Sequence, residues 1–598
     1  MQEVHTHSNS QLGTERPGVK KRLFDRGLSL TFGSERPVWI ASAAFVLFLC
    51  LFEALYLRTG FASIAEWLRV ESDAIVIAIT VIYVSAAIYL SFLFVLAALS
   101  SSWPYKIIYF AVFAFGVVVE YSYSRAIGRF TNGFDVSVAL SATTDQQYYA
   151  AGAFVAPSSL ITILVLAGMM CMVGPKWKAA VGPGALAAVM IGIALFSIHL
   201  AFVNPVLFDR RFTGTSLSSL FLTSAEYFVY EPLSAPVSRE AVAVPPAISQ
   251  PLNNIVVIFD ESVRGDHLSL NGYERRTTPF LEELEHKKLL ANLGIAVSGA
   301  TSSALSFETF ISGGTADEIA SKGFATSKGM PIIFQYAKAM GYRTHYIDGQ
   351  RTDYWWSSGE ADSQFLDNFI SSRELAGPNW EHEKYIDRGA IDRVGSDTRL
   401  DPWELDAKIA EAVKEIYSGS TGNFIFVYKR GTHIPYQNAY PENETTWKPA
   451  YNWDDYYEIP GADKVAAVIN SYDNSIRYNV DGFFRSLATD YSNLPNNTVI
   501  AYTSDHGESL YAQGAAGHGG SSREEAMVPM FLIGLKDRPL DPSYKASHAN
   551  LFTSLLDLMQ YPEEMRKHSY AVSLFKARGS DSTKRFFNPN AQGKVPFD

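Results

Sequence analysis

Cysteine is nearly absent from this sequence, which has two in 598 residues. Both of them, Cys50 and Cys171, fall in long apolar stretches of the amino-terminal part. The long carboxyl-terminal part has no cysteine and can form no disulfide bond. A domain there must depend on its own hydrophobic core, and a segment of this length is large enough to bury one.

An excess of positive charge is also missing, because 50 Lys and Arg residues stand against 61 Asp and Glu residues, a net charge of −11. A protein that binds nucleic acid normally carries a basic surface. The charge balance therefore argues against a nucleic-acid partner. The length exceeds that of one ordinary domain, so the chain is expected to have several parts.

Long apolar runs are missing after residue 203 but frequent before it. Five candidate membrane spans cover residues 38–57, 74–99, 107–120, 158–173 and 181–203. Each is near the length that a bilayer core requires. Buried core helices would give similar runs one at a time, but a succession of five favours a membrane domain.

Basic residues before the first span indicate how the chain is oriented. Lys20, Lys21, Arg22 and Arg26 predict a cytoplasmic amino terminus, and an odd number of spans then places the rest outside. We expect no cleavable signal peptide, because the first apolar run starts too late and is too long. The predicted regions are a cytoplasmic tail (1–37), a five-helix membrane domain (38–203), a proline-rich linker (204–251) and a catalytic domain (252–598).

The linker contains one apolar and aromatic stretch, residues 217–230. It predicts a helix that lies on the membrane surface or packs on the soluble domain. After residue 252, strand-like runs at 255–259, 344–347, 424–428, 498–502 and 530–533 alternate with helical patterns at 279–286, 331–340, 403–416, 464–488 and 549–559. This alternation predicts an α/β domain with a mostly parallel sheet covered by helices.

Two of the predicted strands end in acidic residues. Asp260 and Glu261 follow one strand, and Asp505 and His506 follow another about 245 residues later. Ligands of open α/β sheets bind at the carboxyl ends of strands, and neighbouring carboxylate and imidazole groups can hold zinc. For Asp505 and His506 alone, the simpler interpretation is a capping Asp beside a surface His. Two strands with acidic ends instead favour one assembled site.

The loop at 297–304 is small, polar and ready to begin a helix. A hydroxyl at a helix amino terminus lies near free backbone N–H groups, which suit a phosphate. On the loop alone, an ordinary Ser/Thr helix cap is the simpler interpretation.

The order of motifs carries more information than any one of them. It comprises 261–267 with 271–273, the loop 298–304, then 341–348, 431–436, 471–476, 504–510, 517–519 and 547–552. In this order the chain resembles the alkaline-phosphatase-like hydrolases and transferases, and within them the bacterial phosphoethanolamine transferases, which include enzymes that modify lipid A and confer polymyxin resistance. The resemblance extends over nearly the whole chain, including the five membrane helices.

The resemblance implies specific roles for site residues. Glu261, Asp505 and His506 would ligate zinc, one ion or two, with Thr301 in the open position as the nucleophile. His433 and His518 would lie near the phosphoryl group and either protonate a leaving alkoxide or hold a second metal.

The resemblance also implies substrates and a location. Phosphatidylethanolamine would be the donor, lipid A or another glycolipid or glycan the acceptor, and a phospho-threonine the intermediate. The protein would be a monomer embedded in the bacterial inner membrane with a periplasmic catalytic domain.

Departures from the family pattern keep another donor open. Ala139, Thr143 and Gln147 match only loosely the family's head-group residues Asn, Thr and Glu. The alternative is a phosphoglycerol transferase that acts on a periplasmic glucan or another envelope polymer. A sulfatase would need Cys or Ser followed by Pro and Arg, which residues 301–305 lack, and a non-enzymatic sensor would need a broken ligand set.

Overall fold

The computed structural model describes residues 238–246, 253–322, 325–350, 360–376, 400–452, 462–512, 517–535, 540–589 and 594–598, with isolated positions between 107 and 165. The tail and the helix expected at 217–230 lie outside these residues, as do the five candidate spans apart from a few isolated positions. Among the described residues, no helix combines the length and the apolar character needed to cross a membrane.

A seven-stranded sheet forms the centre of the carboxyl-terminal domain. Its strands are β1 (Asn254–Asp260), β2 (Leu290–Val297), β3 (Arg343–Asp348), β4 (Asn368–Ile370), β5 (Asn423–Tyr428), β6 (Thr498–Ser504) and β7 (Met527–Ile533), in the order β2-β7-β6-β1-β5-β3-β4. The pairs among β6, β1, β5, β3 and β4 are parallel, whereas β7 is antiparallel to both β6 and β2. A short pair, β8 (Phe586–Phe587) and β9 (Val595–Pro596), lies apart.

Helices cover both faces of the sheet. They are α1 (Pro279–His286), α2 (Ser303–Ser312), α3 (Ala316–Lys322), α4 (Ala325–Gly329), α5 (Ile333–Ala339), α6 (Glu360–Ser363), α7 (Ser372–Ala376), α8 (Pro402–Gly419), α9 (Val465–Ser475), α10 (Gly482–Leu487) and α11 (His548–Leu558). Alternate residues of β1 point to opposite faces. Val257 packs with α2, α5 and α11, whereas Val256 packs with α1, α8, α9 and α10. The predicted mostly parallel α/β fold is confirmed.

The five predicted strands are all present, but two further strands of the seven-stranded sheet, β2 and β4, were not predicted, nor was the short pair β8 and β9. The helix expected over 464–488 is interrupted by a π-helical turn at Ile476–Asp481. Its cause is polar: Lys429 Nζ donates to the carbonyl of Asn479 at 2.8 Å, and the Asn479 side chain donates to Asp406 at 2.7 Å. Such turns widen a helix where backbone groups find partners outside it.

The register of the central strands brings the acidic ends together. In the parallel pair β1 and β6, Asp260 lies opposite Ser504. The next residues, Glu261 and Asp505, therefore leave the sheet side by side, and the site assembles at this edge.

Candidate active site

Three predicted ligands meet beyond the ends of β1 and β6. His506 Nε2 lies 3.4 Å from Glu261 Oε1 and 3.4 Å from Asp505 Oδ2. All three side chains are buried. The structure thus brings together Glu261, Asp505 and His506, as the sequence predicted.

Tyr428, the last residue of β5, joins the two carboxylates. Its hydroxyl lies 2.8 Å from Asp505 Oδ2 and 3.1 Å from Glu261 Oε2. One hydroxyl has one proton, so it donates to only one of the carboxylates at a time. Burial and the neighbouring Asp505 carboxylate raise the pKa of Tyr428 well above its usual range, so the phenol keeps its proton. Tyr428 was not among the predicted site residues.

Gln350 fixes the orientation of Glu261 from the other side. Its Nε2 donates to Glu261 Oε2 at 3.0 Å, and its Oε1 accepts from Arg430 Nη1 at 2.6 Å. Partners of this kind hold a metal-ligating carboxylate in one orientation. The sequence pattern did not identify Gln350 or Arg430 as site residues.

The electrostatics of the carboxylates favour a bound cation. Burial, reinforced by Asp505, raises the pKa of Glu261 to about 7, and burial raises the pKa of Asp505 to about 6. Two neighbouring carboxylates in a buried site are costly to ionise together unless a positive charge balances them. The ligand atoms of Glu261, His506 and His518 lie within 4.8 Å of one another. Oxygen and imidazole donors at this spacing fit zinc.

Both predicted histidines lie at this cluster. The His518 ring lies 4.1 Å from the His506 ring and 5.6 Å from the His433 ring, between centroids. His518 Nδ1 is 2.9 Å from Glu508 Oε1. Burial disfavours the charged ring, but the Glu508 carboxylate outweighs it and raises the pKa of His518 to about 9.

The other two rings are held neutral. Burial, with His518 beside it, lowers the pKa of His506 to about 4. Burial, together with the positive charge of Arg430, holds the pKa of His433 well below its usual range. His433 Nδ1 lies 2.6 Å from the carbonyl of Ile434. This contact assigns the proton to Nδ1, which leaves Nε2 as an acceptor.

The hydroxyl that reaches the ligand cluster belongs to Ser303 and not to Thr301. Ser303 Oγ lies 3.1 Å from His506 Nε2 and 3.3 Å from Glu261 Oε1. Thr301 Oγ1 instead donates to the carbonyl of Gly520 at 2.8 Å. In this geometry Thr301 Oγ1 bonds to Gly520, and its expected role as nucleophile and fourth ligand stays a prediction.

The local backbone explains why Ser303, and not Thr301, contacts the ligand cluster. Thr301 lies in the loop, where its carbonyl also accepts from the N–H of Gly519 at 2.7 Å, so it anchors the segment that carries His518. Ser303 is the first residue of α2, after the extended Ser302. Ser306, one turn later, donates its hydroxyl to the carbonyl of Asp505. The composition of the loop predicted that a helix starts in this region. The exact first residue of the helix decides which hydroxyl faces Glu261 and His506.

A buried ion pair supports the site from below. Lys429 Nζ lies 2.7 Å from Asp260 Oδ2, and both side chains are fully buried. Asp406 accepts from the N–H groups of Arg430 and Gly431 at 2.8 and 2.9 Å. Gly431 has φ +62°, and a Cβ there would collide with the backbone of Glu261. The loop that carries His433 therefore packs directly against Glu261, a predicted metal ligand.

Comparison with known families decides the classification. The sulfatase family profile matches residues 253–561, more than half of the chain. The chain belongs to the sulfatase family. The structure of the integral membrane lipooligosaccharide phosphoethanolamine transferase A from Neisseria meningitidis has the same fold, with a TM-score of 0.55 and 18% identity over 88% of this chain and 97% of that one.

Curated relatives of this sulfatase-family chain confirm the resemblance to phosphoethanolamine transferases. The Kdo(2)-lipid A phosphoethanolamine 7''-transferase of Salmonella typhimurium is 28% identical over 312 residues, which cover 50% of this chain and 47% of that enzyme. The phosphatidylethanolamine transferase Mcr-1 of Escherichia coli is 24% identical over 60% of this chain and 63% of its own length. The chain thus spans about half of the length of the first of these relatives.

Proposed function

We propose that this chain is a zinc-dependent phosphotransferase that moves phosphoethanolamine from phosphatidylethanolamine to lipid A or another envelope glycolipid or glycan. Two kinds of support converge: the names of its relatives and a site that pairs a hydroxyl with carboxylate and imidazole donors. The position of Ser303 Oγ beside His506 and Glu261 carries the proposal.

Glu261, Asp505 and His506 would hold the zinc ion. When bound there, zinc supplies positive charge that makes a neighbouring hydroxyl more acidic and offsets negative charge at the phosphoryl oxygens. Tyr428 and Gln350 keep the two carboxylates in place. Among the described residues one group of side chains could hold a metal ion, and it includes His518. We assign one ion to Glu261, Asp505 and His506 and the Glu508–His518 pair to proton transfer.

Ser303 is the nucleophile that we propose from the geometry, and Thr301 is the one that the resemblance implies. Its Oγ forms a bond to the donor phosphorus while the bond from phosphorus to the diacylglycerol oxygen breaks, and its proton leaves along its hydrogen bond to Glu261 Oε1. The first turn of α2 presents backbone N–H groups and the positive end of the helix dipole to the phosphoryl oxygens. The product is a phosphoethanolamine ester of Ser303.

The two histidines divide the proton transfers. His518, held by Glu508, donates a proton to the departing diacylglycerol oxygen. In the second step, an acceptor hydroxyl attacks the phosphorus and the bond to Ser303 Oγ breaks, and Ser303 Oγ takes back the proton held by Glu261. His433 Nε2, left as an acceptor by the contact of Nδ1 with Ile434, takes the acceptor's proton. Solvent then restores both rings.

We place this reaction at the outer face of the bacterial inner membrane. The tail at 1–37 would be cytoplasmic, the five spans within 38–203 would anchor a monomer, and 204–251 would connect them to a periplasmic catalytic domain. The apolar runs and the basic tail of the sequence support this arrangement.

The test uses the full chain in liposomes that contain phosphatidylethanolamine, phosphatidylglycerol, or both, each with a labelled head group, and lipid A as acceptor. The proposal predicts diacylglycerol release from phosphatidylethanolamine and a gain of phosphoethanolamine on the acceptor by mass spectrometry. Release from phosphatidylglycerol alone would refute the ethanolamine donor and favour the phosphoglycerol alternative that Ala139 and Gln147 suggest.

A further inference from the structure

A segment ahead of the predicted catalytic domain lies directly on that domain. Residues 238–246, here called the strap, were assigned to the linker. The N–H of Glu240 donates to Gly329 at 2.9 Å, and Gln335 Nε2 donates to the Glu240 carbonyl at 3.0 Å. Further along, the Tyr561 hydroxyl donates to the carbonyl of Ala243 at 2.8 Å. The strap is thus bonded to the domain at Glu240 and at Ala243.

Arg239 is the most extensively bonded residue of the strap. Its guanidinium pairs with both oxygens of Glu308, at 2.6 and 3.1 Å, and with both oxygens of Asp362, at 3.1 and 2.8 Å. A further bond reaches the carbonyl of Ser327 at 2.9 Å. The three charged side chains are 2%, 0% and 1% exposed. Paired two-pronged contacts of this kind fix direction as well as distance.

Glu308 connects this ion cluster to the active site. It lies on α2, the helix whose first residue is Ser303. Near its start, α2 is tied to Asp505 through Ser306, and further along it is tied to the strap through Glu308. The predicted metal ligands Glu261, Asp505 and His506 follow β1 and β6, whereas Arg239 contacts the helix that begins at Ser303 through Glu308.

We propose that Arg239 is a positioning residue that sets α2, and with it the hydroxyl-bearing loop at 301–303, against the predicted metal ligands. The inference rests on the proposed function. The strap follows the predicted membrane domain in the chain. The linker between the two domains would therefore help to position the nucleophile. Without the guanidinium, α2 would lose its tie to the strap, and the buried carboxylates of Glu308 and Asp362 would repel each other.

Misplacement of a reacting group by about 1 Å can lower a rate by roughly 100-fold. Arg239→Met in the full chain should therefore lower kcat for phosphodiester transfer by about that factor, with KM little changed. Zinc content should stay at the wild-type value, and hydrogen exchange of the α2 amides should become faster. Arg239→Lys keeps the positive charge but lacks the two-pronged guanidinium. Its kcat should therefore lie between those of the wild type and Arg239→Met.

Two further variants separate positioning from stability. Arg566→Met removes a different buried arginine, which pairs with Asp557 on α11, and should leave kcat and α2 exchange near wild type. The triple variant Arg239→Met, Glu308→Gln, Asp362→Asn removes all three charges and should recover thermal stability while kcat stays low.

The inference is overturned if Arg239→Met changes kcat and α2 exchange no more than Arg566→Met does. It is also overturned if the triple variant regains full kcat together with stability, since the role would then be structural only. Hydrogen exchange of α2 requires no turnover. A wild-type chain that fails to use phosphatidylethanolamine would count against the proposed function, while unchanged α2 exchange in Arg239→Met would count against the strap.

Discussion

The hydroxyl of Ser303 lies 3.1 Å from Nε2 of His506, and this contact joins the start of α2 to the end of β6. A hydroxyl in this position can approach any cation held by His506 and Glu261. It is also at the helix end that attracts phosphate. The proposed nucleophile, the proposed ligands and the helix amino terminus therefore converge on one point.

The first prediction compares the two candidate hydroxyls. Ser303→Ala should lower transfer by on the order of 10⁴-fold or more, since the attacking oxygen is lost. Thr301→Val removes one hydrogen bond to Gly520 and should cost less than about tenfold. The measurement is diacylglycerol release by each full-length variant. An inactive Thr301→Val together with an active Ser303→Ala would return the role to Thr301.

Metal content provides the second prediction. Asp505→Asn and His506→Ala should each lose most of the bound zinc, because each removes a ligand from a small set. His518→Gln should retain it, because Glu508 already holds His518 by its Nδ1. Elemental analysis after dialysis tests both. Loss of zinc in His518→Gln would make His518 a ligand and would exclude it as the proton donor.

A third prediction tests proton donation by His518. A poor leaving group needs a proton, whereas nitrophenolate leaves without one. His518→Gln should therefore lose transfer from phosphatidylethanolamine but retain cleavage of bis(p-nitrophenyl) phosphate. His433→Gln is the matched control and should affect the second, acceptor-dependent step. Equal losses on both substrates in His518→Gln would contradict the assignment.

The fourth prediction concerns stability. Lys429→Met leaves Asp260 buried without its ion partner and should cost about 3–5 kcal/mol of unfolding free energy. Adding Asp260→Asn should recover most of that loss. The control is Lys408→Met, which breaks an exposed pair with Glu411, 48% and 66% exposed, and should change stability by less than about 1 kcal/mol. Denaturant unfolding distinguishes them, and a small effect of Lys429→Met would show that the pair is dispensable.

The sequence was most informative where local pattern determines structure. The apolar runs of β1 and β6 identified the strands, and their acidic ends predicted that Glu261 and Asp505 would meet. The two unpredicted strands of the seven-stranded sheet are weaker in pattern: β2 has an irregular register between Asn292 and Ile295, and β4 has three residues.

The remaining differences arise from contacts between distant parts of the chain. Nothing in the loop sequence indicates that Gly520 takes the hydroxyl of Thr301, or that the helix begins so that Ser303 faces His506. Tyr428 reads as the last residue of an apolar strand until Glu261 and Asp505 are folded against it. Arg239 lies 69 residues before Glu308, and only the folded chain shows their pairing.

The most direct measurement is the location of the covalent intermediate. The full chain is mixed with phosphatidylethanolamine without an acceptor, quenched in acid and digested, and the peptide that contains residues 301–303 is sequenced by fragmentation mass spectrometry. The account predicts a phosphoethanolamine ester on Ser303. An ester on Thr301 or Ser302, or turnover without any ester on this peptide, would contradict it.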